Sequence, residues 1–198
     1  MSSIKQISIH GYKKFRDFRL VFHDGLNVII GENESGKTTV IEAINIVLNQ
    51  WYRTVDKSII EELINRELLD AFYDSPSVAT LPKIIIEIEF DLSDLPVQSD
   101  YYGQEYELID SRDDLYGVSF QCKFNDEYTQ LLLPNINNGL IPFEYYDFSW
   151  KTFGGGPFLS LRFPLKYLAI NTSEQASSAS FNYYNKRIFN NTYSESDK

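Results

Sequence analysis

The stretch that decides the fold is "GENESGKTTVIEAINIVLN", which runs from Gly31 to Asn49. Its first eight residues match the pattern G-x-x-x-x-G-K-[ST], in which a glycine-rich turn binds phosphate. The residues after Lys37 place apolar side chains at helical spacings, with no proline or glycine among them. The apolar run "LNVII" (Leu26 to Ile30) comes directly before the turn and predicts a strand. Because this loop lies between a predicted strand and a predicted helix, the pattern predicts nucleotide binding.

Each residue type in the loop has a physical task. Gly31 and Gly36 allow backbone conformations that are closed to residues with a Cβ atom, so the loop can curve around a phosphate. The N–H groups that follow lie at a helix N-terminus, where the dipole favours an anion. Lys37 would contact the β- and γ-phosphates, and the hydroxyl of Thr38 would bind Mg²⁺. The predicted site for ATP and Mg²⁺ comprises Gly31, Asn33, Glu34, Ser35, Gly36, Lys37, Thr38 and Thr39, with Thr38 as the metal ligand.

Two acidic residues, Glu32 and Glu34, lie inside a loop that is expected to hold phosphate. They are tolerated if their side chains point outward, because the backbone makes the contacts. The favoured interpretation of Glu34 is a solvated side chain. The alternative, in which Glu34 faces a second subunit or a catalytic water, stays open.

Composition excludes several classes of protein. The 198 residues carry a formal net charge of −10, and an acidic chain repels the phosphate backbone, so the chain as a whole is not a strong nucleic-acid binder. The single cysteine, Cys122, lies in the alternating run "GVSFQCKF" and is expected to be a buried apolar residue. No signal segment or membrane span is present in the sequence. These features predict a soluble cytoplasmic protein without disulfides.

The rest of the N-terminal third predicts strands and helices. "IKQISIHGY" (4–12) and "FRLVFH" (18–23) alternate and predict two strands. A second helix is expected over Lys57–Phe72, with Ser58 and Glu61 as a capping box. The stretch "DSPSVATLP" (74–82) has the composition of a linker.

The remainder of the chain predicts β-structure. "KIIIEIEFDL" (83–92) predicts a half-buried strand, with Ile85, Glu87, Glu89 and Asp91 on the face opposite Ile84. Further strands are expected in "GVSFQCKF" (117–124), "YTQLLL" (128–133), "FLSLRF" (158–163) and "KYLAI" (166–170), with "FGGGP" (153–157) as a loop. The chain therefore divides into a P-loop nucleotide-binding lobe (1–75), a β-rich continuation (76–170) and a polar, flexible tail (171–198).

The stretches "ISIHGYKKFRDFRLVF" (7–22) and "GLNVIIGENESGKTTVIEAINIVLN" (25–49) resemble the ATP-binding head of the RecF/SMC/OLD group of ABC-type ATPases. Asn33, Ser35 and Gly36 match the form of the loop that is typical of this group, with Thr38 where the group often has serine. "KIIIEIEFDLSDL" (83–95) is similar to a strand of OLD-type nucleases, including the Gabija-type defence proteins.

This resemblance implies an α/β fold, with a mixed sheet around the P-loop helix and a β-rich subdomain. It implies ATP-driven dimerisation of two heads, as a homodimer or with a partner chain, and in OLD proteins a Toprim nuclease domain that cuts DNA. In such heads, basic residues at the positions of Lys13, Lys14 and Arg16 can approach the nucleotide; here a solvated turn is the favoured interpretation.

Two elements that hydrolysis requires in this group are missing from the sequence. No L-S-x-G signature segment is present, and "IIIEIEFD" is a poor match to a Walker B strand because glutamates interrupt it. We therefore expect an incomplete head, the N-terminal portion of a longer ATPase of DNA repair or phage defence that reaches DNA through other regions. Two alternatives stay open. One is a non-catalytic nucleotide-binding module that acts with a partner chain. The other is a small-molecule P-loop kinase, which needs a lid with arginines directed at the phosphates; Arg112 and Arg162 are too isolated in the sequence to indicate such a lid.

Overall fold

A computed structural model describes residues 3–50, 56–92, 99–160 and 163. The chain begins with a β-hairpin, followed by the helix after the glycine-rich loop, two short helices, and then a mainly β region. The strands are β1 (Ser3–Tyr12), β2 (Phe15–Val21), β3 (Ile84–Asp91), β4 (Tyr102–Gly103), β5 (Leu115–Phe124) and β6 (Tyr146–Thr152). The α-helices are α1 (Lys37–Asn49), α2 (Ile60–Leu63), α3 (Arg66–Asp74) and α4 (Thr129–Leu132).

All six described strands belong to one sheet, in the order β2-β1-β3-β5-β4, with β6 also paired to β5. Each described pair is antiparallel. The helix α1 contacts β3 and β5, and the indole Nε1 of Trp150 on β6 donates to the carbonyl of Ile46 on α1 at 2.9 Å. The predicted α/β fold, with a sheet against the P-loop helix, is confirmed. Because β1 and β3 pair directly, the predicted regions 1–75 and 76–170 share this sheet, and the division between them stays a prediction.

The sheet has one apolar and one polar face, as alternation requires. On the apolar face, Ile9, Ile86 and Phe120 lie side by side across β1, β3 and β5. On the polar face, Ser8, Glu87 and Ser119 form the corresponding row. All six side chains are buried.

The prediction that β3 is half-buried is wrong, because Glu87 has no exposed surface. A segment that precedes β5 crosses the polar face at this point. The Glu87 carboxylate accepts hydrogen bonds from the backbone N–H groups of Glu107 at 2.6 Å and Leu108 at 2.9 Å. Burial raises the pKa of this carboxyl above its ordinary value, and the two amide hydrogen bonds oppose that shift.

The helix predicted over Lys57–Phe72 is interrupted. A 3₁₀ turn over Lys57–Ile59 leads into α2, the chain becomes extended at Ile64, and α3 follows. Asn65 causes the break: its side chain caps α3 by accepting from the N–H of Glu67, and also donates to the carbonyl of Lys13 at 2.8 Å. The predicted capping box of Ser58 and Glu61 is wrong, because the cap is Asp56, which accepts from the N–H of Ser58 at 3.0 Å.

Two predicted strands are absent at their predicted positions. Residues 26–30 lie outside any strand, although they are apolar and β-branched. Residues 128–133 contain α4 instead, in which Leu132 is buried while Leu131 and Leu133 are exposed. The strand β6 was not predicted.

Other predictions hold or cannot be compared. The loop at 153–157 is confirmed, with the N–H of Thr152 bonded to the carbonyl of Gly156 at 2.8 Å. Of the strand predicted at 158–163, residues 158–160 do not form a strand. Outside the described residues lie residues 161–162, the strand predicted at 166–170 and the tail at 171–198. Cys122 is buried as expected, and burial raises the pKa of its thiol to about 12. Among the described helices, none has the length and apolar character to cross a membrane.

Candidate nucleotide-binding site

The glycine-rich loop ends at the first residue of α1. Gly36 occupies the N-cap position with φ of 100° and ψ of 10°, a left-handed conformation that glycine adopts without strain. Its position provides no side-chain cap for the helix, and the first turn contains no acidic residue. The first N–H groups of a helix have no partner within it. The start of α1 therefore presents donors and a positive dipole end to the loop.

The turn of the β1–β2 hairpin packs against the loop at Gly36. A Cβ atom built on Gly36 would lie 2.5 Å from Cζ of Phe15 and 2.9 Å from Cδ of Lys14. Phe15 is itself buried and stacks on Phe18, with the ring centroids 4.1 Å apart. The close approach of hairpin and loop thus requires glycine at position 36.

Lys37 is folded back over the loop that precedes it. Its ammonium donates to the carbonyls of Gly31 at 2.7 Å and Glu32 at 2.6 Å, and lies 3.4 Å from Oγ of Ser35. A cationic group thus occupies the mouth of the loop. Gly31 and Glu32, which provide these carbonyls, are exposed residues, so the ammonium can exchange these bonds for others.

A cavity of about 500 Å³ opens over the loop and the first turn of α1. Its lining residues contribute the backbone N–H groups of the first turn of α1, two ammonium groups and two threonine hydroxyls. This set fits a polyphosphate with a divalent cation, because amides and ammonium groups bind phosphate and hydroxyl oxygen suits Mg²⁺. The lining residues are Lys14, Asn33, Glu34, Ser35, Gly36, Lys37, Thr38 and Thr39.

Seven of the eight residues predicted for the site line this cavity. Gly31 does not, and instead accepts a hydrogen bond from Lys37. Glu34 has φ of 66°, which is unusual for a residue with a side chain and costs about 1–2 kcal/mol. The ammonium of Lys14 donates to the carbonyl of Glu34 and so holds this conformation.

Lys14 is an exposed residue of a turn, as the favoured interpretation expected, and it also lines the cavity. The basic residues at and after the hairpin turn, Lys13, Lys14 and Arg16, were the signal in the sequence, but the sequence alone does not distinguish them. The structure separates them: Lys14 lines the cavity, whereas Lys13 pairs with Glu42 at 2.6 Å and Arg16 pairs with Glu67 at 3.1 Å.

Other chemistry is not assembled in the described part of the chain. No group of three or more histidine, cysteine or acidic side chains there is placed to hold a metal ion. His10 is bonded to Asp17 at 2.7 Å, and Gln121 donates to Glu107 at 3.2 Å. Neither His10 nor Gln121 lines the cavity over the loop.

Residues 3–195 match the family described as "AAA ATPase domain". The chain is 31% identical over 88 residues to the DNA replication and repair protein RecF of Limosilactobacillus reuteri, covering 44% of this chain and 23% of that protein. It is 39% identical over 59 residues to the RecF protein of Lactococcus lactis subsp. cremoris, covering 29% and 16% respectively. The chain thus spans less than a quarter of the length of these curated relatives.

A solved structure from work on ATP-driven dimerization and DNA-stimulated activation of SMC ATPases is also similar. The likeness covers 93% of this chain and 98% of the other, with 15% identity and a TM-score of 0.40. A similarity of this strength carries no functional information.

Proposed function

We propose that this chain, which belongs to the AAA ATPase domain family, binds ATP with Mg²⁺ through residues 31–39 and is the ATP-binding part of a RecF-type ATPase. The observation that carries the proposal is the cavity over the loop, where the uncapped start of α1 meets Lys14 and Lys37. Two cations and a helix N-terminus around one concave site favour a ligand with several negative charges.

In this proposal each residue has a role that its position supports. The backbone N–H groups at the start of α1 hold the phosphate oxygens. Lys37 leaves the carbonyls of Gly31 and Glu32 and contacts the β- and γ-phosphates, while Lys14 adds a second positive charge from the hairpin turn. The hydroxyl of Thr38 would bind Mg²⁺, which would neutralise part of the phosphate charge.

The wider proposal concerns the protein in which this chain works. The loop sequence and "KIIIEIEFDLSDL" (83–95) favour an OLD- or RecF-like ATPase of DNA repair or phage defence, acting in the cytoplasm. The signature motif, the Walker B strand and any Toprim nuclease domain would then lie outside these residues. Two heads would dimerise around ATP, as a homodimer or with a partner chain, and DNA would be contacted by the other regions. Alone, the chain is expected to bind ATP weakly, hydrolyse it poorly and leave DNA uncut.

The test of the site is a single substitution. Lys37→Ala removes the ammonium from the loop and is expected to abolish binding of a fluorescent ATP analogue in the presence of Mg²⁺. Lys123→Ala is the matched control, because Lys123 is an exposed lysine of β5 that does not line the cavity. Equal binding by both variants and the native chain would show that the loop does not hold the nucleotide.

A second candidate function is a non-catalytic module that holds nucleotide as a regulatory ligand and acts with a partner chain. The observation that favours it is the exposed apolar segment at residues 26–30. Steady-state hydrolysis separates the candidates: sustained turnover by the isolated chain that Lys37→Ala removes would exclude a non-catalytic role. Binding without turnover, restored to turnover by a second polypeptide, would favour the ATPase head.

A further inference from the structure

A cavity of about 190 Å³ lies on the polar face of the sheet, away from the glycine-rich loop. It shares no lining residue with the cavity over the loop. Trp150 of β6 bonds to α1, and Lys151 comes next, so alternation directs Lys151 to the opposite face of the sheet. Most ligand sites have volumes of roughly 300–1,000 Å³, so the occupant of this cavity is limited to a small molecule.

The floor of the cavity is formed by side chains of β5 and β6. Ser119, Gln121 and Lys123 alternate along β5 and therefore share one face. Lys151 of β6 pairs directly opposite Ser119 and lies on the same face. Ser119 is 2% exposed, and its hydroxyl oxygen has no hydrogen-bond partner among the described residues. A buried hydroxyl without a partner costs free energy, which a ligand with an acceptor group can recover.

Several charged groups of the cavity are left unpaired by the fold. Within residues 3–50, 56–92, 99–160 and 163, no ion pair involves Lys123, Lys151 or Glu105. Glu107 differs from these three, because its carboxylate is bonded to the ammonium of Lys83 at 3.0 Å. Two positive charges and one negative charge of the lining are therefore available to a ligand.

The two lysines belong to opposite ends of this floor. Lys151 is level with Ser119, and Lys123 lies four residues further along β5, a distance of about 13 Å along the strand. A single small anion contacts one of the two ammonium groups, whereas a ligand with two anionic groups on a short carbon chain can contact both. Glu105 belongs to the segment that precedes β5, also lines the cavity, and can attract a positive group of the ligand.

We propose that this cavity binds a free acidic amino acid, with its two carboxylates at Lys123 and Lys151 and its ammonium at Glu105. The charges of ligand and cavity then match one for one, which favours association. The chain carries a net charge of −10 and repels anions in general, so a ligand that also has a positive group fits better than a simple dianion. A nucleoside triphosphate has no ammonium group for Glu105. This site is separate from nucleotide binding and does not depend on it.

The experiment compares three molecules with one carbon skeleton on the full chain. L-glutamate has all three charged groups, L-glutamine lacks the side-chain carboxylate, and glutarate lacks the ammonium. Glutarate also represents the two carboxylates of a glutamate at the C-terminus of a polypeptide. The measurement is a titration of backbone amide chemical shifts in the ¹⁵N-labelled chain, at low ionic strength because salt screens exposed charges.

L-glutamate is expected to shift the amides of Ser119 and Gln121 in a saturable manner, because both residues line the cavity. L-glutamine and glutarate are each expected to bind about fivefold more weakly, which is the loss that follows from removing one exposed charge contact.

Substitutions in the chain test the same contacts from the other side. Lys123→Ala and Lys151→Ala should each weaken L-glutamate binding about fivefold. Lys5→Ala is the matched control, because Lys5 is an exposed lysine of β1 that does not line the cavity. Glu105→Gln should weaken L-glutamate binding about fivefold without weakening glutarate binding, because glutarate has no ammonium to lose a partner.

Three results would overturn the proposal. An equal loss of affinity in Lys5→Ala and the two cavity variants would mean that the ligand responds only to the overall charge of the chain. Glutarate binding as tight as that of L-glutamate would assign the cavity to a dicarboxylate or a chain terminus. Shifts confined to residues 31–39 would place the ligand on the glycine-rich loop. Lys37→Ala separates the two sites, because it should leave L-glutamate binding unchanged while it removes binding of the ATP analogue.

Discussion

Gly36→Ala tests whether the hairpin turn supports the loop. The substitution places a Cβ atom at φ of 100°, which costs an L-residue about 1–2 kcal/mol relative to glycine. Part of this cost is offset, because alanine restricts the unfolded chain by about 0.4–1 kcal/mol. The new atom would also lie 2.5 Å from Cζ of Phe15, whose ring is buried and stacked on Phe18. Overpacking of this kind costs about 1–3 kcal/mol, so the expected total loss is about 2–4 kcal/mol.

Gly25→Ala is the matched control. Gly25 has φ of 87°, close to that of Gly36, but a Cβ atom there meets nothing within 4 Å. The backbone cost is therefore shared and the packing cost is absent, so this variant should lose about 1 kcal/mol. The difference between the two variants isolates the contact between hairpin and loop.

The assay is urea unfolding followed by circular dichroism, with free energies from linear extrapolation. A double-mutant cycle with Phe15→Leu extends it, because a smaller side chain makes room for the new atom and should reduce the cost of Gly36→Ala. The reasoning is refuted if Gly36→Ala costs no more than Gly25→Ala, within the error of about 0.5 kcal/mol.

Three further predictions concern single side chains. Lys14→Ala should weaken binding of the ATP analogue about fivefold, as expected for one exposed charge contact. Lys13→Ala is the control and should leave the titration curve unchanged, because the ammonium of Lys13 is already paired with Glu42. Equal losses of affinity in the two variants would contradict the assignment of Lys14. Burial raises the pKa of the Glu87 carboxyl above its ordinary value of 4.5. The protonated carboxyl therefore stabilises the folded chain below that pH, and this stabilisation is lost as pH rises through the pKa of the folded state. Glu87→Gln cannot ionise, so its unfolding free energy minus that of the native chain should increase between about pH 4 and about pH 7; a constant or falling difference in urea titrations would refute this. Burial raises the pKa of the Cys122 thiol to about 12, so an aromatic disulfide reagent should react with the chain only in denaturant, and rapid absorbance change in native buffer would contradict the buried position.

Local sequence patterns predicted the elements whose partners are close in the chain or whose periodicity is strong. The alternation over residues 4–12 gave β1, and the helical spacing after Lys37 gave α1. The strand predicted at 18–23 became β2 at Phe15–Val21, because pairing with β1 begins directly after a two-residue turn. The G-x-x-x-x-G-K-[ST] pattern of the loop predicted seven of the eight residues that line the cavity.

The wrong predictions share a physical origin: contacts with distant parts of the chain, whether formed or lacking, decided the structure against the local preference. Asn65 ends a helical run because it bonds to the hairpin turn more than fifty residues earlier in the chain. Glu87 reads as a solvent-facing residue of β3, yet the amides of Glu107 and Leu108 cover it. "LNVII" (26–30) has the right residues for a strand but no neighbour to pair with in the described chain, and propensity alone does not make a strand.

In the proposed binding of a nucleotide, the ammonium of Lys37 exchanges existing hydrogen-bond partners for phosphate oxygens. This ammonium already donates to the carbonyls of Gly31 and Glu32. A ligand must form stronger interactions with the ammonium than these two carbonyls do. A ligand with only one phosphate offers few oxygens in return, while a triphosphate offers several with full negative charge. If the chain binds ATP as proposed, this exchange favours a triphosphate over a monophosphate, independently of any contact to the base or the sugar.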